Sequence, residues 1–231
     1  MGVPLSYRVR IPIRRRNPGD LAAQIGQRWF RYVVLGINDA ATLAAWHTES
    51  QRRYAVPVQA GFRAFTAFRG DYAAAAGFGE TKNYEHICDV WLSINPPTTW
   101  EAAATLAAAA APRLYNNPVI SLEGTPLPGL KADVGYNDFT NGNSLLFKGM
   151  SLMEVGKDGS CYIKRLISMY QYRSDGSADD AYLDINAPEL LRAIREAKVL
   201  SDDTKAALKV QVAGLMPPTT RVVPNCSTSV L

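Results

Sequence analysis

The stretch Met150-Ser-Leu-Met-Glu-Val155, Gly156-Lys-Asp-Gly159 and Cys161-Tyr-Ile-Lys-Arg-Leu-Ile-Ser-Met-Tyr-Gln-Tyr172 decides how the rest of the chain is read. Two apolar-rich runs flank a Lys-Asp-Gly turn, and Asp and Gly accept the positive φ of a tight hairpin. In the second run Cys161, Ile163, Arg165, Ile167 and Met169 alternate with Tyr162, Lys164, Leu166, Ser168 and Tyr170. A period of two predicts one long strand over Cys161–Tyr172. Polar RSDGSADDA and Tyr182-Leu-Asp-Ile185 follow, then Asn186-Ala-Pro-Glu189. Asn186 offers a side-chain cap, Pro188 suits a first helical turn and Glu189 complements the positive helix end. Leu190, Leu191, Ile194 and Ala197 supply an apolar stripe for that helix.

Upstream of the hairpin the pattern changes to alternating strand and helix. Asp20–Trp29 reads as a helix and Tyr32–Ile37 as a strand. Asn38-Asp39 caps a helix over Ala40–Tyr54. A strand over Gly61–Arg69, a short helix over Asp71–Phe78 and a strand over His86–Ile94 come next, the last ended by Pro96-Pro97. Thr98-Thr-Trp-Glu101 is a capping box that opens an alanine-rich helix, Thr99–Leu114. This alternation predicts an α/β fold: a layered core domain with a mostly parallel sheet, followed by an α+β hairpin-helix region.

The chain has 231 residues, enough for one sizeable core or two smaller ones, and its 47% hydrophobic and 20% charged residues are those of a soluble globular protein. No apolar run approaches the roughly 20 residues that cross a bilayer, and the N-terminus lacks the pattern of a secretory signal. Cys88, Cys161 and Cys226 are odd in number and widely spaced, which predicts reduced thiols. The net charge is +4. Arg8, Arg10, Arg14, Arg15 and Arg16 crowd the first sixteen residues, and without them 20 basic side chains face 21 acidic ones. Only that segment carries a long-range field for an anionic partner. The expected organisation is a basic arm over 1–17, a core domain over 18–135, a hairpin-helix region over 136–215 with a last helix Asp202–Ala213, and a polar tail over 216–231.

Residues able to do chemistry are sparse. His47 falls mid-helix, and His86 opens a strand on which Asp89, three residues on, points to the other face. Neither adjoins a nucleophile elbow, so no triad is assembled. His86 and Cys88 are too few for a zinc site, and a buried strand thiol is the favoured reading of Cys88. Gly77-Phe-Gly79 and Gly156–Gly159 lack phosphate-loop spacing. Asp175, Asp179, Asp180 and Asp184 do not match a calcium loop and read as a solvated turn, or else as an acidic surface meeting a basic patch on another subunit. Tyr162, Tyr170, Tyr172 and Tyr182 fit either an interface or a core layer. No catalytic, cofactor-binding or metal-ligating residue is assigned.

The ordered set Leu145-Leu146, the hairpin Gly149–Tyr172 with its ISMYQY run, and Asp179 or Asp180 with Tyr182-Leu183-Asp184 ahead of a helix resembles the C-terminal region of the contractile-tail sheath proteins of Mu-like bacteriophages. Further features are similar to that family: Asp39-Ala-Ala with Leu43, a glycine-bounded segment holding Thr81 and Asn83, the proline-rich turn into Trp100 with its alanine-rich helix, and Pro126-Leu-Pro-Gly129. The likeness runs from about Pro18 to Val199. It implies a core of subtilisin-like topology without a catalytic triad, and no cofactor. It also implies rings of sheath subunits around a tail tube, in the virion tail after assembly in the bacterial host cytoplasm, with other sheath subunits and the tail tube protein as partners. Members of the family are longer at both ends, and residues 1–17 do not align with them. Two other readings stay open: an α/β hydrolase-like enzyme with an unrecognised site, and a nucleic-acid-binding module using the arginine arm.

Overall fold

A computed structural model of the chain describes residues 28–55, 58–93, 98–131 and 133–197. The arm, most of the helix expected over Asp20–Trp29, the helix expected over Asp202–Ala213, Cys226 and the tail lie outside the described residues. Five strands form one sheet in the order β1 (Tyr32–Val34), β2 (Arg63–Arg69), β3 (Ile87–Leu92), β4 (Met150–Val155), β5 (Cys161–Arg165). The first four are parallel and β5 is antiparallel to β4. The expected mixed α/β architecture with a mostly parallel sheet is therefore the observed one.

Helix starts are set by side-chain caps. Asp39 accepts the Thr42 amide at 3.0 Å to open α1 (Ala40–Tyr54), and Asp71 accepts the Ala74 amide at 2.7 Å to open α2 (Tyr72–Glu80). The Thr98 amide donates to Glu101 at 3.0 Å, the return arm of the capping box of α3 (Thr99–Asn116). Asp138 accepts the Asn141 amide at 3.1 Å to open α4 (Phe139–Leu146). The helix α2 runs through Gly79 to Glu80, two residues past the expected end at Phe78, and Gly79 is needed not as a stop but because a Cβ there would collide with the Lys148 carbonyl and the Met150 side chain. Pro112 lies on the exposed side of α3, where water can satisfy the carbonyl it leaves unbonded, and the helix continues to Asn116.

Parity along the strands assigns the layers. Arg63, Phe65, Cys88 and Val90 face α3 and α5 (Asn186–Ala197), whereas Thr66, Phe68, Asp89, Met150 and Leu152 face α1, α2 and α4. Trp46 of α1 meets Phe62 edge-on at 5.5 Å, and Phe78 of α2 stacks on Phe68 at 4.4 Å. On the other face α3 buries Ala102, Ala103, Leu106, Ala110 and Leu114 against β1 and β2. Fully burying one such leucine is worth about 2 kcal/mol.

The hairpin forms as the Asp-Gly turn requires: Gly159 has φ +78°, and Asp158 accepts the Ser160 amide and the Tyr162 hydroxyl. The second strand is shorter than its alternation predicts. It ends at Arg165, and Leu166–Tyr170 are all buried rather than alternating. The ladder shifts register between Leu152 and Met153, after which a side chain replaces strand pairing. Ser151 Oγ accepts the Ile167 amide and donates to the Ile167 carbonyl, both at 3.0 Å. The first strand is likewise shorter than expected, Tyr32–Val34 in place of Tyr32–Ile37.

Asn83 completes the attachment of this segment. Its Oδ1 accepts the amides of Gln171 and Tyr172 at 2.7 and 3.1 Å, and its Nδ2 donates to the Tyr172 carbonyl at 2.7 Å. The Gln171 amide group in turn donates to the Gly79 and Lys82 carbonyls. With each bond worth about 1 kcal/mol net, Asn83→Ala is expected to lower unfolding free energy by about 2–3 kcal/mol in urea titrations. Asn83→Asp, which keeps the acceptor and loses the donor, should cost less.

Candidate functional site

Nothing the sequence singled out as chemical converges on a reactive centre. His86 is buried, its ring stacked 3.6 Å from that of Tyr54, while His47 lies 4.7 Å from Tyr84. Burial, then the Arg63 guanidinium, push the His86 imidazole down to about 2, so its 3.5 Å contact with Glu85 is one between a neutral ring and a carboxyl. Its Nδ1 has no hydrogen-bond partner. Cys88 is buried and its thiol is pushed up to about 11, chiefly by desolvation, which keeps it protonated and poorly nucleophilic.

Asp89 is fully buried on the opposite sheet face, beside Thr66 of the neighbouring strand. Burial drives its carboxyl well above the usual range against a smaller pull from the Phe68 backbone, and no group meets either oxygen in full hydrogen-bond geometry. Among the described residues no group of three His, Cys, Asp or Glu side chains is placed to hold a metal ion. Of the aspartates, Asp175 accepts the Ser177 amide, and Asp179 is held down at about 2 by Arg173 and the Tyr170 hydroxyl. They close a turn, as their spacing predicts. Tyr170 is buried against Tyr182 in an edge-on pair at 5.4 Å, whereas Tyr172 and Tyr182 are about 40% exposed, so the tyrosine series divides between core and surface.

The feature that sequence reading missed is a buried charge cluster. Glu189 does not sit at the helix start as a solvated acid; it is fully buried. Arg63 Nε, Arg192 Nη1 and Arg31 Nε lie 3.5, 3.6 and 3.8 Å from its carboxylate, and the Tyr32 hydroxyl donates to it at 3.2 Å. Arg63 is itself fully buried and also donates to the Glu85 carbonyl at 3.4 Å. The stripe predicted for α5 turns accordingly, leaving Leu191 53% exposed while Glu189 points inward. Asn186 does not cap this helix through its side chain, which donates instead to the Pro118 and Ile120 carbonyls. The available signal was Arg63 itself, a cation at an inward strand position that needs a carboxylate partner.

Together these features describe an α/β domain held by buried pairs and side-chain clamps, with His86, Cys88, Asp89 and Glu189 sequestered from solvent. The comparisons give the particular likeness. The chain is 23% identical over 174 residues to the Mu-like prophage FluMu tail sheath protein of Haemophilus influenzae, covering 75% of this chain and 36% of that one. The fold is similar to the crystal structure of the sheath tail protein from Desulfitobacterium hafniense (TM-score 0.52, 16% identity, 84% of this chain and 46% of that one). It is also similar to that of a Listeria innocua sheath tail protein (TM-score 0.50, 12% identity, 85% and 47%). No family model matches. The chain resembles the contractile-tail sheath proteins of Mu-like phages, as its motifs indicate, and spans about a third of the length of the curated relative it matches.

Two outcomes are expected. Glu189→Ala strands Arg63 in the interior and should destabilise the fold by about 3–5 kcal/mol in denaturant titrations. The His86 imidazole binds a proton near pH 6.5 when unfolded but only near 2 when folded. The unfolded state therefore takes up the extra proton across that window, and the imidazole's contribution to stability falls as pH drops below 6.5, by up to about 1.4 kcal/mol per unit. His47, also lowered by burial, acts in the same direction. Asp89, raised by burial, acts the other way. The imidazole's share is therefore read as the difference in unfolding free energy between wild type and His86→Phe, which keeps a ring against Tyr54. That difference should move against wild type as pH drops from 6.5 to 5.

Proposed function

We propose that this chain is a structural subunit of a contractile phage or prophage tail sheath, assembling with other sheath subunits around a tail tube. The observation that carries the reading is the match to the FluMu sheath protein along three quarters of the chain, with a fold similar to two sheath tail proteins over still more of it. The internal chemistry supports it: a depressed imidazole and a protonated thiol, both buried, suit a packed body rather than a reaction. On this reading the protein is not an enzyme, needs no cofactor, and resides in the tail after assembly in the host cytoplasm.

The same proposal includes a subtilisin-like topology for the core over 18–135, a C-terminal sheath region over 136–215, and a basic arm over 1–17 as the unmatched part. Assembly of this kind stores energy in a metastable set of subunit interfaces rather than in bonds. Immunogold electron microscopy of tail particles from a producing strain tests it: label is expected along the sheath. Intact tails consistently free of label would refute it. Purified alone, the chain is expected to form no extended sheaths, and polysheath tubes in such a sample would contradict that part.

A further inference from the structure

Apart from Phe139 and Leu191, the large apolar side chains that stay exposed gather mainly in two places. The first is the outer edge of β1 together with α3. Among the described residues no strand pairs with β1 on its outer side. The Arg31 carbonyl and the Leu35 amide bond to β2, which turns the backbone groups of Tyr32 and Val34 outward. Along this edge Trp29, Phe30, Val34, Ile37, Trp100 and Tyr115 are all exposed, Trp29 at 72%. Trp100 lies against Gly36, and Arg31 lies over the Tyr115 ring at 4.6 Å, so the aromatic groups span the height of the edge. Between Trp100 and Tyr115 the exposed side of α3 offers Ala104, Ala108 and Pro112. An ordinary amphipathic helix would be polar there. Among the described residues the concavity at the lower end, about 290 Å³, is lined by Arg31 and Arg192, both of which also approach the buried Glu189, and by no acid.

The second place is a groove of about 660 Å³ whose walls include Phe147, Tyr172, Leu183, Asp179 and Asp180. Phe147 is 77% exposed. Asp179, Asp180 and Arg173 line the groove, Arg173 being paired with Asp179, and Asp175 and Asp184 lie elsewhere on the segment 166–184. β1 and the β4 side of the sheet are separated by β2 and β3, roughly 14 Å of sheet. The two faces of one chain therefore point to different neighbours.

The geometry points to a head-to-tail contact between copies of this chain, in which the apolar, arginine-rimmed β1–α3 edge of one copy seats on the aspartate-rimmed Phe147–Tyr172 groove of the next. It deepens the structural-subunit reading and rests on it. A contact between two different faces repeats without closing on itself after two copies, and so generates rings or filaments. Large aromatics at the centre of such a contact bury 150–250 Å² each, by general experience, so a few supply much of the roughly 800 Å² per partner that a stable interface needs.

Two substitutions at exposed positions test it in the full chain. Trp100→Asp puts an acid in the first turn of α3, where the helix dipole tolerates it, and spoils the first face. Phe147→Lys puts a cation at the end of α4 and spoils the second. In sedimentation velocity at low salt, wild type is expected to associate beyond dimers as concentration rises, and less so as salt is added. Each variant alone should associate at least tenfold more weakly, with unchanged circular dichroism and Tm. An equimolar mixture should recover dimers and stop there, because each variant keeps the face the other has lost. A monomeric wild type, a mixture that stays monomeric, or variants that associate as wild type does would each overturn the contact. Association through other surfaces would leave the sheath reading intact, since that reading stands or falls on labelling of tails.

Discussion

The fold depends on one carboxylate being taken out of water. Glu189 enters the interior on α5 and meets Arg63 of β2, Arg31, Arg192 and the Tyr32 hydroxyl at the head of β1. Desolvating charges costs several kcal/mol per ion, so such a pair is weak evidence of net stability. What it does enforce is position. An arginine that is already buried in β2 has few ways to be neutralised, and the one chosen fixes the rotation and height of α5 over the sheet. Leu191 is left facing solvent as a consequence. The last described helix is thereby locked to the first strands of the sheet.

A second set of contacts does for the hairpin region what Glu189 does for α5. Past Arg165 the backbone leaves the regular ladder, yet its polar groups are buried and must still be satisfied. Ser151 satisfies Ile167, Ser168 donates to the Tyr182 carbonyl, and Asn83 serves Gln171 and Tyr172. Small polar side chains thus stand in for a neighbouring strand, which lets the chain turn beneath the sheet. Gly149, at φ +72°, lies where a Cβ would press on the Met169 backbone, so the two segments approach closely only because no side chain intervenes.

Much of this was legible because its causes are local. The Asp158-Gly159 turn, the Asp39 cap and the Thr98–Glu101 capping box depend on residues within four positions of each other, and strand β4 falls on its expected bounds. The excess length given to the second hairpin strand came from alternation that continues through residues buried on every side, where hydrophobic period no longer reports a sheet face. The Glu189 cluster was hidden for a different reason. An acid in a first turn has a sufficient local explanation in the helix dipole, so nothing in its neighbourhood demanded the distant arginines. Asn186 misled in the same way, a good cap by type whose side chain serves Pro118 and Ile120 instead.

The placement of titrating groups bears on what kind of work the molecule can do. Catalysis needs an acid or base tuned near working pH and open to a substrate. Here burial moves two groups the other way, lowering the His86 imidazole and raising the Cys88 thiol away from the neutral range, while it raises the Asp89 carboxyl above the usual carboxylate range. His86 and Cys88 are thereby held in their neutral forms across the neutral range, and desolvation is the leading cause of all three shifts. Exposed charge lies in the aspartate turn, while Arg31 and Arg192 beside β1 are half-buried and drawn towards Glu189. A body with silent interior groups and charged, aromatic faces has its free energy to offer at its boundaries. For such a chain the informative measurements are those of association.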